Sequence, residues 1–332
     1  MYIDATMALR DAAARRGPGA AAVRRRHPDM LSYLGGVMLG ALVMLAALIY
    51  ALVGLGAAGA LPPPQFSNNL CIDEKLAGMR VAPPQRPDLL VIGSSVAWRH
   101  FNAPAALAVA PGLRPYNAGF CGARLDQTEQ VARWLTGRLP TVRRVVLVAS
   151  PFDFQGCSTH ADSHFDVAAA DRFVFDGASP ARFYARYFDP VTLARNATSV
   201  GAARRDIGGP DPLVQDRFGD GPSEPRANRG LFYDRGEALD PVCFAALHRM
   251  ALALHRQGQA LDVTITPLHP DWAARYGDPR LAAGVAAALQ GTGARFHPAV
   301  HTPDVHSFYD AIHMRWSGTA AYTRALVRTV GA

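Results

Sequence analysis

The chain has 332 residues, of which 49% are hydrophobic and 18% charged, with a formal net charge of +7 and four cysteines. Beyond the first sixty residues that length leaves one large domain, whose core can fold without help from a metal. Beyond those sixty residues the arginines are scattered rather than gathered into a basic stripe, which argues against nucleic-acid binding, and no two cysteines have C-x-x-C spacing, which argues against a thiolate zinc site.

Residues 1–30 form a basic arm in which six arginines face Asp4, Asp11 and Asp29. Residues 31–61 follow without a charged side chain, and about 20 apolar residues suffice to cross a ~30 Å hydrocarbon core, so 31–61 is predicted to be a transmembrane anchor. Ala58-Gly59-Ala60 has the small-x-small pattern of a signal cleavage site, but the apolar run is far longer than the roughly 7–15 residues of a signal peptide. Arg15, Arg16, Arg24, Arg25 and Arg26 precede the span and no Lys or Arg follows until Lys75. The positive-inside rule therefore puts the N-terminus in the cytoplasm and the rest in the periplasm or outside the cell. There Cys71, Cys121, Cys157 and Cys243 meet an oxidising compartment. Of the possible pairings, Cys121 with Cys157 is the expected one, because both follow strands at the same sheet edge.

Leu61-Pro62-Pro63-Pro64 ends the helix, and 62–86 is predicted as a stiff linker. From 87 to 332, short apolar runs alternate with amphipathic stretches, the pattern of an α/β domain with a parallel sheet. Strands are predicted at 89–92, 115–120, 145–148, 263–266 and 295–300. Asp126 with Glu129 reads as a capping box opening a helix with Ala132, Leu135 and Leu139 on one face. Asp240-Pro241 opens another carrying Phe244, Leu247, Ala251 and Leu254. Ser317 is the expected cap of a last helix carrying Tyr322, Ala325 and Leu326. Between about 165 and 240 lies a long connection, rich in aromatics and then in Arg, Asp, Gly and Pro, read as a cap-like insertion. Its aromatic residues at 173–188 are expected to serve packing rather than sugar stacking.

Three short segments carry candidate chemistry. Gly93-Ser94-Ser95 leaves the first buried strand, and ligands of parallel sheets bind at strand carboxyl ends. Asp310-Ala311-Ile312-His313 precedes the last helix; three-residue spacing on a helical turn would let the carboxylate orient the imidazole toward a serine. Tyr116-Asn117-Ala118-Gly119-Phe120-Cys121-Gly122 stands between them in order. His160 to Asp166 and the pair His297/His301 have metal-ligand residue types, but a polar loop and a strand explain them better.

With these blocks in this order, the chain resembles the SGNH/GDSL hydrolase family over about 88–330. The resemblance implies a three-layer flavodoxin-like fold, Ser95 as nucleophile, Asp310 and His313 completing a triad, and the amides of Ser95 and Gly122 as the oxyanion hole, with no metal or organic cofactor. Two positions depart from the pattern. Gly93-Ser94-Ser95 replaces Gly-Asp-Ser, and Ser150-Pro151-Phe152-Asp153 replaces Gly-x-Asn-Asp, so Phe152 stands where the family has an oxyanion-binding asparagine. This is similar to the membrane-anchored SGNH-like proteins that modify cell-surface polymers. It implies a serine esterase or O-acyltransferase acting on a carbohydrate or cell-envelope polymer, with a membrane-bound acyl donor protein as a partner. The alternative is a catalytically inactive SGNH fold that binds a polymer or docks on an acyltransferase.

Overall fold

The computed structural model describes residues 29–157, 159, 164–230 and 238–332. Residues 1–28 of the basic arm and 160–163 of the His160–Asp166 loop lie outside the described residues, as does 231–237 of the insertion.

Helix α1 (Met30–Ala57) has 28 residues, a mean hydropathy of 2.5 over its most apolar window and no buried side chain. At ~1.5 Å per residue it is longer than a ~30 Å hydrocarbon core requires. Among the described residues it is the only helix long and apolar enough to cross a membrane.

From Gly54 onward the chain forms its own compact unit. Its elements in order are α2 (Leu70–Val81), β1 (Leu89–Gly93), α3 (Ser95–His100), α4 (Ala103–Val109), β2 (Pro115–Gly119), α5 (Leu125–Arg138) and β3 (Arg144–Ala149). The insertion contributes α6 (Val167–Val174), α7 (Pro180–Arg186), α8 (Pro190–Ala197) and α9 (Val200–Ala203). Then come α10 (Pro241–Arg256), β4 (Ala260–Ile265), α11 (Pro270–Tyr276), α12 (Arg280–Leu289), β5 (Arg295–His297) and α13 (Trp316–Val330).

All five strands are parallel, in the order β2-β1-β3-β4-β5. That is the flavodoxin-like order of doubly wound sheets, whose switch point lies between β1 and β3. The continuous apolar runs follow from this, because alternate residues of one strand enter different cores. Leu89 and Val91 of β1, with Val146 and Val148 of β3, pack under α3, α4 and α13. Leu90, Ile92, Val145 and Leu147 pack under α2, α5, α10 and α12. The domain is thus a three-layer α/β sandwich.

The expected linker is a correction. Within 62–86, α2 is capped by Asn69, whose side chain accepts from the Cys71 amide, and it buries Ile72, Leu76 and Met79 in the larger core. The apolar period was obscured because Asp73, Glu74 and Lys75 on the same helix are buried as well. Two caps also move. Helix α5 starts at Leu125, with the Arg124 amide donating to Gln127 Oε1 (2.7 Å), so Asp126 and Glu129 lie inside the helix. Helix α13 starts at Trp316, and Ser317 donates its amide and hydroxyl to Glu224. Asp240 does cap α10, accepting from the Val242 amide. Strand β5 is shorter than the expected 295–300. Phe66, just before α2, gathers the insertion's Phe173, Phe183 and Tyr187 rings at 4.9–5.4 Å, so these aromatics serve packing.

The expected Cys121–Cys157 bond is overturned: Cys71 bonds Cys121 and Cys157 bonds Cys243. The residue taken for linker supplies the partner that sheet-edge reasoning lacked. Peptide mapping of the non-reduced protein should recover these two pairs and no Cys121–Cys157 peptide. Replacing Cys157 and Cys243 together by serine should lower unfolding free energy by about 2–5 kcal/mol in denaturant titration.

Candidate functional site

At the end of β1 only glycine fits. Gly93 has φ 138°, and a Cβ there would collide with the Val148 carbonyl oxygen and come within 2.9 Å of Ala97 Cβ. The turn therefore passes tightly under β3 and delivers two serines in succession. Ser94 is buried and donates its hydroxyl to Asp153 Oδ2 at 3.0 Å. Asp153 also accepts from the Ser150 amide (3.0 Å) and hydroxyl (2.9 Å). Burial raises this carboxyl to about 6 against the pull of those hydrogen bonds. Ser95 follows as the first residue of α3, half-buried.

Asp310 and His313 lie between a short 3-10 turn (Val305–Ser307) and α13. They share a side for a reason other than the expected helical turn. Asp310 Oδ1 accepts from the backbone amides of Ile312 (3.0 Å) and His313 (2.7 Å), and this side-chain-closed turn brings the imidazole back over the carboxylate. His313 Nδ1 then stands 2.9 Å from Asp310 Oδ2, and Nε2 stands 2.8 Å from Ser95 Oγ. With Nδ1–H donating to the carboxylate, Nε2 is the acceptor that faces the serine hydroxyl. Burial pushes the Asp310 carboxyl up, but the charge of His313 and the hydrogen bonds outweigh it, so its pKa lies below the ordinary value and it remains ionised. Tyr309 stacks on the imidazole with ring planes 8° apart. Arg229 Nη1 sits 3.9 Å from Asp310 Oδ2.

The structure thus joins Ser95, His313 and Asp310 in one chain of hydrogen bonds across 218 residues of sequence separation. Gly122 lies in the turn after β2, exposed, with φ 69°. Its neighbour Cys121 lines the cavity above Ser95. Gly119 plays another part: its amide donates to Asn117 Oδ1, and a Cβ would come within 2.5 Å of the Trp98 amide, so it lets β2 approach α3. Phe152 is turned toward Trp272 (ring centroids 5.3 Å), and its carbonyl accepts from Arg124.

A cavity of about 600 Å³ opens over Ser95 and His313. One wall is the Cys71–Cys121 disulfide with Leu70; the facing wall runs from Ser199 to Leu213 in the insertion. Among the described residues no group of three His, Cys, Asp or Glu is placed to hold a metal ion. His297 Nε2 faces Asp262 at 2.8 Å, and His164 faces Asp126 and Gln127.

Sequence reasoning missed several supports of this site. Asn117 belongs to the middle sequence block, and its role is packing by hydrogen bonds: Nδ2 donates to the carbonyls of Ala97 (3.0 Å) and Trp98 (3.2 Å) and to Asp220 Oδ1 (3.0 Å). Its own carbonyl accepts from Lys75 Nζ at 2.7 Å. His100 carried no signal at all, since its partner is a backbone amide 214 residues away. It is fully buried; Nε2 accepts from the Met314 amide at 2.9 Å, so Nδ1–H donates to Thr266 Oγ1 at 2.6 Å. That arrangement needs the neutral ring, and it fixes the backbone immediately after His313. No family model matches the chain, and no curated protein matches it.

Burial, with His313 acting in the same direction, holds the His100 pKa well below its ordinary value. An unfolded chain takes up a proton near pH 6.5 that the folded ring refuses, so this contribution is present above that pH and lost below it. Between pH 6.5 and 5 the wild type should lose up to about 1.4 kcal/mol of stability per pH unit relative to His100→Gln, which keeps a donor and an acceptor without titrating. Urea titrations of both proteins across that range measure the difference; parallel curves would contradict the neutral-ring role.

Proposed function

We propose that this protein is a serine-dependent acyl hydrolase or O-acyltransferase. The observation that carries the reading is the Ser95–His313–Asp310 chain, with 2.8 Å and 2.9 Å contacts, opening on a cavity at the carboxyl end of β1. Ser95 Oγ attacks the acyl carbonyl while its proton passes to His313 Nε2. The ester C–O bond breaks, and the leaving alcohol takes that proton. Water or a sugar hydroxyl then gives its own proton to His313 and attacks the acyl-serine; the Ser95 Oγ–acyl bond breaks, and His313 returns the proton to Oγ. Asp310, held ionised, stabilises the imidazolium that forms in each half. The amides of Ser95 and Gly122 are assigned to the oxyanion. With Phe152 packed on Trp272 rather than supplying a side-chain amide, one donor of the SGNH pattern is missing, a loss typically worth roughly 10²–10³ in rate.

The SGNH-like assignment rests on the order of the sequence blocks together with the 2-1-3-4-5 sheet. The resemblance to the membrane-anchored branch supports a carbohydrate or cell-envelope polymer as acceptor and a membrane-bound acyl donor protein as partner. The arginines before α1 support a cytoplasmic N-terminus and a domain in the periplasm or outside the cell. The position of Phe152 favours a second reading, an inactive polymer-binding domain, and the same experiment decides between them.

A serine-directed fluorophosphonate should label the full-length protein and fail to label Ser95→Ala. Ser95→Ala and His313→Ala should each remove nearly all turnover, with the double variant little worse, because the residues act as a unit. Asp310→Asn should lower kcat by several orders of magnitude while leaving the melting curve cooperative. A wild type that neither labels nor turns over an ester would hand the site to the binding-domain reading, and full labelling and turnover in all of the variants would remove Ser95 as the nucleophile. For the topology, a reporter active only outside the cytoplasm, fused after Ala332, should work, and a cytoplasm-only reporter should not.

A further inference from the structure

We propose that the cavity above Ser95 is an acyl-chain pocket, sized for an aliphatic acyl group of several carbons rather than for acetyl. This rests on the serine reading given above and names its substrate class. The argument begins with size. A cavity of about 600 Å³ falls in the range that takes a ligand of drug-like size. If each methylene occupies about the volume of a water molecule, roughly 30 Å³, an acetyl group would leave most of it empty.

The chemistry of the walls sets the kind of ligand. The apolar surface comes from Leu70 and the Cys71–Cys121 disulfide on one side, and from Ala202, Ala203, Pro210 and Leu213 on the other. The polar side chains in the same walls are engaged by the protein. Asn69 accepts from the Cys71 amide and donates to the Cys121 carbonyl. Arg99 lies on the Trp98 ring and donates to the carbonyls of Gly221 and Pro212. Asp206 is paired two-fold with Arg226, and Asp211 takes Arg229 at 2.5 Å. Ser199 donates to the Asn196 carbonyl, and the Tyr309 hydroxyl meets Ser223.

A pocket for sugar hydroxyls would aim amides and carboxylates inward, and one for an anion would aim a guanidinium inward. Here those groups are bonded to neighbouring protein atoms, the exposed Asp211–Arg229 pair included, and Leu70, Ala202, Ala203, Pro210 and Leu213 line the same cavity as Ser95 and His313. The insertion wall is also braced, since the Leu213 amide donates to the Ala203 carbonyl at 2.8 Å. The acyl carbonyl would sit at Ser95, the chain along the apolar walls, and the alcohol portion toward the opening.

The experiment measures kcat/KM of the full-length chain in lipid nanodiscs on p-nitrophenyl acetate, butyrate, octanoate and laurate. Water becomes the acyl acceptor, and p-nitrophenolate is the product read. A fully buried methylene is worth about fourfold, so six partly buried ones should favour octanoate over acetate by at least about tenfold. Ala203→Trp, and separately Leu213→Trp, should each cut the octanoate-to-acetate ratio by at least about tenfold. Both substrates are read on one preparation, so any loss of folded protein cancels in the ratio. Acetate equal to or better than octanoate overturns the proposal, as does a ratio that neither tryptophan moves. Absence of turnover on every ester, together with absence of fluorophosphonate labelling, is a different result: it removes the serine reading and the acyl pocket with it.

Discussion

At Gly93 the backbone of β1 meets the Val148 carbonyl of β3 with no space for a side chain. Much of the site follows from that contact. Because β1 can turn immediately beneath its neighbour, α3 starts at the sheet edge, Ser94 falls against Asp153 and Ser95 faces His313. Any other residue would have to adopt φ near 138°, a region L side chains rarely occupy, and would push the turn away from β3. Gly119 makes a second close approach from β2, where a side chain would meet the Trp98 amide of α3.

Around this turn lies a buried polar frame. Lys75 of α2 is 1% exposed and donates to the carbonyls of Asn117 and Gly219, while Asp220 accepts from Asn117 and from the Ala103 amide. Burial brings the Lys75 pKa down to about 7, with Asp220 and Asp216 opposing the fall. One ammonium thus ties α2, β2 and the insertion together behind the nucleophile turn. Such a frame specifies position more than it adds stability, because desolvating charged groups offsets much of their attraction.

What could be read in the sequence was what local physics writes there. The strands showed because a sheet covered on both faces demands unbroken apolar runs such as Leu89-Leu90-Val91-Ile92. Ser95, Asp310 and His313 stood out because each belongs to a short segment at a strand or helix boundary. The frame and the walls did not, since their meaning lies in distant partners. His100 is defined by the Met314 amide, and Lys75 by two carbonyls that no charge pattern announces. Helix α2 looked like linker because its charged residues point into protein, and with it went the partner of Cys121. Ala202, Ala203 and Leu213 have no motif; they matter only once the insertion is seen facing Ser95.

The two disulfides have a further property in their connectivity. The bridged segments, 71–121 and 157–243, follow one another along the chain without nesting or crossing. On the proposed topology, a chain emerging amino-end first into an oxidising compartment presents Cys71 and Cys121 before either of the others. Pairing the cysteines simply in order of appearance gives the native set. Such a chain can be oxidised correctly while it is still being delivered, and its maturation would place little demand on an isomerase to reshuffle mispaired thiols.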